Sequence, residues 1–324
     1  MPVIKSLLLI IILLPLIVCA QTIIADTSIL KNDSSKKAYT QTITTDIVDY
    51  KNARLGIRNY YILGKDNFKR QALFPVHLRG KDWLKLGAFT IVSASIALAN
   101  QPIKTYAINL KQNNPVLASV SKYVTRFGDP YIKYILGAGL AAGLLSKDRK
   151  LETTTLLASQ AYFISNILGG AIKILTGVQA PFYTDPFTQQ IEPAFRGPFY
   201  VFKKTREGEP LRLNNYGSFP SGHTYSAFSV ATVYAMQYIN KPLIPIVAYS
   251  IATLVGLSRL TENRHWAMDI LPGALLGYYS GRQVVKNYRR FYKENKLHKK
   301  KTTSLTFNIQ YTNQQLRPGL IVRW

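Results

Sequence analysis

Cysteine, histidine and acidic side chains are all scarce in this sequence. Of 324 residues, 1 is cysteine, 4 are histidine, and 16 acidic residues face 41 lysines and arginines. A single cysteine, Cys19, cannot form a disulfide within the chain, so stability has to come from packing. No His-Glu-x-x-His spacing is present, which argues against a metal centre. The sequence therefore predicts neither a metal nor another cofactor.

The shortage of carboxylates leaves a formal charge of +25, which attracts polyanions. Nucleic acid is one such partner, but no basic stretch is interleaved with aromatic residues as a stacking platform. The apolar blocks described below also argue against nucleic acid. An anionic membrane surface or a phosphorylated substrate fits this composition better.

The first 20 residues resemble a secretory signal peptide. Lys5 precedes an apolar stretch that ends in Cys19-Ala20-Gln21, and cleavage is predicted after Ala20. Two alternatives stay open, a lipid attached to Cys19 and an uncleaved anchor helix. Either way, the protein is predicted to be exported to a bacterial cell envelope.

Beyond this leader, the apolar residues gather in six blocks between Trp83 and Val285, which predicts an all-α bundle of six helices. Only the fifth block is apolar enough to span a membrane on hydropathy alone. Tyr60–Leu63 is predicted to form a patch that docks on the main body. The helices are predicted at 83–100, 131–145, 152–176, 221–239, 243–260 and 265–285.

Alternating apolar residues from Leu305 onwards predict a β-hairpin at the end of a basic tail. The predicted organisation is therefore a signal peptide, a polar extension, a helical bundle and this tail. Their bounds are 1–20, 21–80, 81–288 and 289–324.

The first cluster with chemical potential is Phe219–His223, where a helix is predicted to begin. Pro220 suits a helix entrance because it has no backbone N–H to satisfy. Ser221 and Gly222 offer a hydroxyl and backbone N–H groups, which with the helix dipole form an anion site. His223 stands beside this site and is able to transfer a proton near neutral pH.

The second cluster runs from Ser258 to Asp269. His265 and Asp269 are four residues apart, so on a helix they share one face. An aspartate that accepts from one imidazole nitrogen leaves the other free to attack phosphorus, and Arg259 supplies a planar donor for phosphoryl oxygens. A helix cap, a packed core residue, or a metal set with His223 are the rival interpretations.

Together these clusters resemble two signatures of the type 2 phosphatidic acid phosphatase family. The matching residues are Pro220-Ser-Gly-His223 and then Ser258-Arg259, five residues, His265, three residues and Asp269. The resemblance covers about residues 80 to 285. The family includes bacterial acid phosphatases, lipid A phosphatases, undecaprenyl diphosphate phosphatases and vanadium haloperoxidases.

The resemblance implies a role for each matching residue. His265 resembles the nucleophile that forms a phosphohistidine, Asp269 its orienting partner, and His223 the general acid and base. The residues that resemble the phosphate cradle are Lys173, Ser221, Gly222 and Arg259.

The family's first signature is incomplete in this chain. Lys173 and Pro181 stand at the family spacing, but Ala180 replaces the arginine before the proline, and Val178 stands where many members carry another arginine. Basic residues of the following loop are candidates to replace the missing charge, namely Arg196, Lys204 and Arg206.

The resemblance implies a metal-independent phosphatase that acts on a phosphomonoester or diphosphate, of a membrane lipid such as phosphatidate, lipid A or isoprenoid diphosphate. The site is expected to face the periplasm from a membrane-embedded or membrane-associated bundle, with a soluble periplasmic protein as the alternative. The rival function is a weakened or inactive relative that binds phosphorylated lipid, which Ala180 favours.

Overall fold

A computed structural model describes residues 55–204, 208–209, 211–300, 304–312 and 315–323. The predicted signal peptide and Arg206 lie outside these residues. Within them the fold is all-α, as predicted, apart from a terminal hairpin. The α-helices are α1 (Ile57–Ala72), α2 (Gly80–Leu98), α3 (Asn100–Gln112), α4 (Pro115–Val124), α5 (Pro130–Leu145), α6 (Arg149–Thr176), α7 (Leu213–Tyr216), α8 (Gly222–Gln237), α9 (Leu243–Thr261) and α10 (Ala267–Lys300).

Each of the six predicted helices is present, as α2, α5, α6, α8, α9 and α10, but the bundle contains more than these six. Helix α1 and the pair α3 and α4 were not predicted. They are short or polar, so they lack the long apolar run on which the prediction relied.

The last helix differs from its prediction at both ends. It begins at Ala267 rather than at His265, because the Asp269 carboxylate accepts from the backbone N–H of Trp266 at 2.9 Å and caps the helix there. It also continues to Lys300, past the predicted end at Val285. The added turns are rich in lysine and arginine and contain neither glycine nor proline, so they favour helix.

The predicted hairpin is present as two antiparallel strands, β1 (Ser304–Thr312) and β2 (Gln315–Arg323). Their register pairs Ser304 with Arg323 and Thr312 with Gln315.

Helix α8 lies at the centre of the bundle, packed against α6, α9 and α10. Residues 224–233 of α8 are buried without a break. A helix that is buried on every side has no solvent-facing stripe, and its small serine, threonine and alanine side chains let neighbouring helices approach closely. The N-terminus of α8, which carries Ser221 and His223, therefore opens inside the bundle.

Helix α10 touches α8 through three glycines spaced one turn apart. A Cβ at Gly273 would lie 2.8 Å from the carbonyl oxygen of Ser221. At Gly277 and Gly281 it would lie 2.3 and 2.6 Å from carbonyl oxygens of α8. These distances are shorter than any ordinary carbon contact, so only glycine permits this packing.

Helix α1 docks on α6 and α10, and so confirms the predicted patch. Leu63 is 1% exposed, and the Tyr60 hydroxyl lies 2.9 Å from the Ser159 hydroxyl. Asn67 donates to the side-chain carbonyl of Gln160 at 2.9 Å. These partners satisfy polar groups that burial would otherwise make costly.

Helices α6 and α9 are both long and apolar enough to cross a membrane. The prediction that only the fifth block qualifies is therefore wrong, since α6 extends over 28 residues and contains a sufficiently apolar window. Helices α2 and α3, bent by 60°, would be a third span if they cross together. Large apolar side chains such as Ile167 on α6 and Ile246 on α9 are exposed. These features are those of a membrane-associated protein.

Candidate active site

The structure brings His265 and Asp269 together on the turn where α10 begins. Nδ1 of His265 lies 3.3 Å from Oδ2 of Asp269. The same carboxylate oxygen accepts from the Ser218 hydroxyl at 2.5 Å and from the Trp266 N–H. Asp269 is fully buried, and its other oxygen, Oδ1, has no hydrogen-bond partner in the described structure. The donors to Oδ2 therefore offset only part of the cost of burying the charge, and burial raises the pKa of Asp269 to about 7. If the carboxylate accepts a hydrogen bond from Nδ1–H, the lone pair of Nε2 of His265 is left free to act as a nucleophile.

The environment of His265 favours its neutral form. Burial lowers the pKa of His265 well below its ordinary value, and the positive charges of Lys173 and Arg259 lower it further. A neutral imidazole has the lone pair that an attack on phosphorus requires.

The start of α8 lies directly beside this pair. The N–H of Ser221 donates to the backbone carbonyl of Asp269 at 3.0 Å. Ser221 is fully buried, and its hydroxyl accepts from Thr224 at 2.8 Å. The first turn of α8 has the backbone polarity of an anion site, because the N–H groups and the helix dipole point the same way.

Two cations complete the site from other helices. Lys173, at the end of α6, donates to the backbone carbonyl of Gly217, and its Cε lies 4.0 Å from where a Cβ at Gly222 would stand. Arg259, near the end of α9, is 9% exposed and donates through Nη1 to the Thr125 hydroxyl. Its Nε is buried without a hydrogen-bond partner in the described structure. A buried, unpaired guanidinium donor is suited to an incoming phosphoryl oxygen.

His223 is fixed by a contact that the sequence did not reveal. A Cβ at Gly128 would lie 2.4 Å from Cβ of His223 and 2.7 Å from its ring carbon Cδ2. The backbone of Gly128 therefore forms a wall for the imidazole. Together, these contacts draw four separate stretches of the chain into one site, at Lys173, residues 217–223, Arg259 and residues 265–269.

Residues 154–293 match the family model described as PAP2 superfamily. This matched segment, which runs from α6 into α10, belongs to the PAP2 superfamily. All of the predicted site residues fall within the matched segment.

Two curated relatives come from Porphyromonas gingivalis. A lipid A 1-phosphatase is 33% identical over 31% of this chain and 25% of its own length. A lipid A 4'-phosphatase is 30% identical over 40% of this chain and 52% of its own length. The chain thus matches less than two thirds of either relative.

Among solved structures, the chain is similar to a transmembrane PAP2-type phosphatidylglycerolphosphate phosphatase from Bacillus subtilis. The sequence identity is 20%, and the TM-score is 0.42. The likeness covers 65% of this chain and 94% of that structure.

The incomplete PAP2 signature lies in a packed part of the structure. Ala180 is 1% exposed, and its N–H donates to the backbone carbonyl of Asn215 at 2.7 Å. Val178, the other departure, is fully buried. Small apolar side chains here therefore fill the core that supports the turn after α6.

The predicted substitutes for the missing arginine differ in their surroundings. Arg196 forms ion pairs with Asp185 at 3.2 Å and Glu192 at 3.0 Å, so two carboxylates already compensate its charge. Lys204 is exposed. Whether either replaces the arginine of other PAP2 proteins stays a prediction.

Arg264 is an alternative that sequence reasoning missed. It directly precedes His265, and its guanidinium lies 4.9 Å from the ring centroid of Phe182, two residues beyond Ala180. Its charge also contributes to the lowered pKa of His265. A guanidinium therefore stands between the incomplete signature and the histidine.

Among the described residues, no group of three or more histidine, cysteine or acidic side chains is arranged to hold a metal ion. The rival set of His223, His265 and Asp269 does not have that arrangement. Sequence reasoning missed Ser218, Thr125 and Gly128 as well, because no motif spacing marks them and their role depends on tertiary contacts.

Proposed function

We propose that this chain hydrolyses a phosphomonoester or diphosphate of a membrane lipid through a covalent phosphohistidine at His265, without a metal. The observation that carries the proposal is the placement of His265, whose Nδ1 lies 3.3 Å from the Asp269 carboxylate. Burial, and then the charges of Lys173 and Arg259, lower the pKa of this histidine. A nucleophile and positive donors at one helix start are what phosphoryl transfer requires.

In the first step, Nε2 of His265 attacks phosphorus, and a phosphorus–nitrogen bond forms as the bond to the ester oxygen breaks. Burial and the nearby charge of Arg259 lower the pKa of His223 to about 3 in the site without substrate. We propose that His223 takes up a proton together with the anionic substrate and donates it to the departing oxygen, so the alcohol or phosphate leaves neutral or less charged. Asp269 stabilises the imidazolium that develops on His265.

In the second step, water attacks the phosphohistidine while His223 accepts one of its protons. The phosphorus–nitrogen bond breaks, inorganic phosphate leaves, and His265 returns to its neutral state. Lys173, Arg259 and the first N–H groups of α8 stabilise the negative charge on the phosphoryl oxygens in both steps.

The lipid substrate is supported by the candidate spans and by the relatives. Lys173 lies in the last turn of α6, one of the helices long and apolar enough to cross a membrane. The relatives from P. gingivalis are lipid A phosphatases by name. A site at the end of such a helix would lie at headgroup depth, where a lipid phosphate is found. We propose that this end of the bundle faces the periplasm.

The test is phosphate release by the purified full chain in detergent. The panel comprises short-chain phosphatidate, lipid A, isoprenoid diphosphate and a water-soluble phosphomonoester. Release that persists in EDTA and stops with vanadate is expected. Turnover that disappears in EDTA and returns with a divalent ion would instead indicate a metallophosphatase.

The covalent step has its own readout. Brief incubation with substrate labelled in the phosphoryl group, followed by alkaline denaturation, should leave label on the protein, and acid should release it as it hydrolyses a phosphoramidate. His265→Ala should remove the label. Label that survives in His265→Ala would place the nucleophile elsewhere.

The second candidate function is binding of phosphorylated lipid without turnover, and the observation that favours it is Ala180 in the incomplete signature. The same panel separates the two. Saturable binding of phosphatidate vesicles with no phosphate release from any substrate would support the binding protein.

A further inference from the structure

The short turn between α4 and α5 lies outside the segment that matches the PAP2 superfamily. It forms a 3-10 helix at Thr125–Gly128, followed by Asp129. The family match begins only at residue 154. We call residues 125–129 the strap, because they cross the bundle between α8 and α9, the helices that bear His223 and Arg259.

The first residue of the strap holds Arg259. The Thr125 hydroxyl accepts a hydrogen bond from Nη1 of the guanidinium. Nε of the same guanidinium is buried without a partner in the described structure. A guanidinium is planar, so fixing one nitrogen fixes the direction in which the others point. Thr125 thereby leaves Nε available for a ligand.

The fourth residue of the strap holds His223. Any Cβ at Gly128 would lie within 2.8 Å of three atoms of that side chain, its Cβ, Cγ and Cδ2. The imidazole thus rests directly on the strap backbone. Only the absence of a side chain at this position permits so close an approach.

Both ends of the strap are tied to the bundle. Oδ1 of Asp129 accepts from the Tyr162 hydroxyl of α6 at 3.0 Å. Before the strap, the hydroxyls of Ser121 and Thr261 lie 2.6 Å apart and join α4 to the end of α9. A segment held at both ends can transmit its position to the two side chains that it contacts.

We propose that the strap positions two functional side chains of the site. Thr125 directs Arg259 towards the phosphoryl oxygens, and Gly128 directs His223 towards the leaving oxygen. The inference rests on the proposed function. Thr125 and Gly128 are positioning residues, since they act through Arg259 and His223 and touch no reacting atom.

The experiment compares two esters of the same phosphate, an alkyl phosphate and p-nitrophenyl phosphate, whose leaving groups differ in their need for a proton. Removing the Thr125 hydroxyl with Thr125→Val should lower kcat about tenfold on both esters, because a hydrogen bond to a charged group is lost. KM should change less than kcat. Thr125→Ser keeps the hydroxyl and should restore kcat to within about twofold of the parent.

Gly128→Ala should act differently because it displaces the proton donor. The comparison uses kcat/KM, which reports the first phosphoryl transfer and not the water step that both esters share. We expect kcat/KM on the alkyl phosphate to fall by about tenfold or more, since proton transfer typically contributes 10²–10⁴-fold. On p-nitrophenyl phosphate the fall should be under about threefold, since that leaving group departs without a proton. Gly137→Ala on α5, where nothing lies within 4 Å of the added Cβ, is the matched control and should leave both values unchanged.

Equal losses of kcat/KM on the two esters in Gly128→Ala would mean that the strap has only a structural role, and would overturn the proposal. The proposal would also be overturned if Thr125→Ser did not restore kcat. Unchanged kcat in both Thr125→Val and Gly128→Ala would overturn it as well. If the parent chain releases no phosphate, the proposed function fails separately, and inorganic phosphate becomes the probe. Thr125→Val should then weaken phosphate binding about tenfold, and Thr125→Ser should not. Equal phosphate affinities in the parent and both variants would contradict the proposal that Thr125 positions Arg259.

Discussion

The two sides of the site are built in different ways. On the histidine side, Asp269 accepts from Ser218 and Trp266 and lies 3.3 Å from Nδ1 of His265. On the opposite side, Lys173 lies in the last turn of α6. The buried side chains of Val178 and Ala180 lie in the turn that follows this helix. The histidine side is a network of polar contacts, whereas the side after α6 consists largely of buried core residues.

This difference shows which parts of a PAP2 site depend on each other. A buried carboxylate needs every one of its donors, so its network changes only as a unit. A phosphate-binding arginine is one donor among several, and a neighbouring cation is able to take over its charge. The four predictions that follow test this contrast from both sides.

The largest effect is expected at His265 itself. His265→Ala removes the proposed nucleophile, and kcat for phosphate release should fall by at least about 10³-fold. His77→Ala, an exposed histidine whose ring contacts only its own helix end at Leu73, is the control and should retain full activity. Residual turnover within tenfold of the parent in His265→Ala would end the phosphohistidine mechanism.

The next effect is expected at Ser218, the donor that sequence reasoning missed. Ser218→Ala leaves the buried Asp269 with one donor fewer, a loss of about 1.5–3 kcal/mol for a hydrogen bond to a charged group. We expect kcat to fall about tenfold or more. Ser146→Ala, which removes an exposed hydroxyl on a distant helix end, should have no effect on kcat. Equal kinetics in the two variants would show that Asp269 does not need this donor.

A smaller effect is expected on the opposite side, where Arg264 and Arg196 are compared. Arg264→Gln should lower kcat/KM several-fold if its guanidinium supplies the missing charge. Arg196→Gln should lower only the melting temperature, because the ion pairs of Arg196 with its two carboxylate partners stabilise the loop. Ala180→Arg should then be neutral or harmful, since position 180 is 1% exposed. A gain in kcat/KM from Ala180→Arg would instead show that the charge is missing.

The smallest effect concerns stability against pH. The pKa of His265 is lowered in the folded state, so below the unfolded value of about 6.5 the unfolded chain binds more protons. His265 thus lowers stability as pH falls, by no more than about 1 kcal/mol between pH 6.5 and 5.5. Melting temperatures of the parent and His265→Gln should therefore converge as pH falls. A constant difference would mean that folding does not lower the pKa of His265.

The long helices α6 and α9 were predictable from sequence because each contains a long and mostly apolar stretch. The site motifs were predictable because helix starts have recognisable residues, such as Pro220 and Asp269. Helix α1 was not predicted, since its buried polar residues Asn67 and Gln71 form hydrogen bonds with partners far along the chain.

The surroundings of the site were harder to predict for the same reason. Thr125 lies 134 residues from Arg259, and Ser218 lies 51 residues from Asp269. No local period links such pairs, and each side chain alone is an ordinary surface or turn residue. Their contribution becomes visible only when the helices are packed together.

The close glycine contacts between α8 and α10 limit how far these two helices can move relative to each other, and so limit how far the candidate site can change shape. Their backbones meet at Gly273, Gly277 and Gly281, where a Cβ would lie within 2.8 Å of a carbonyl oxygen. Sliding one helix by a single residue, about 1.5 Å, would bring bulkier positions against that backbone. The position of Asp269 relative to His223 along the helix axes is therefore fixed by backbone contacts rather than by the packing of side chains. If the proposed function is right, substrates with larger headgroups have to be accommodated by the loops and the strap, because the two helices cannot separate without losing all three contacts.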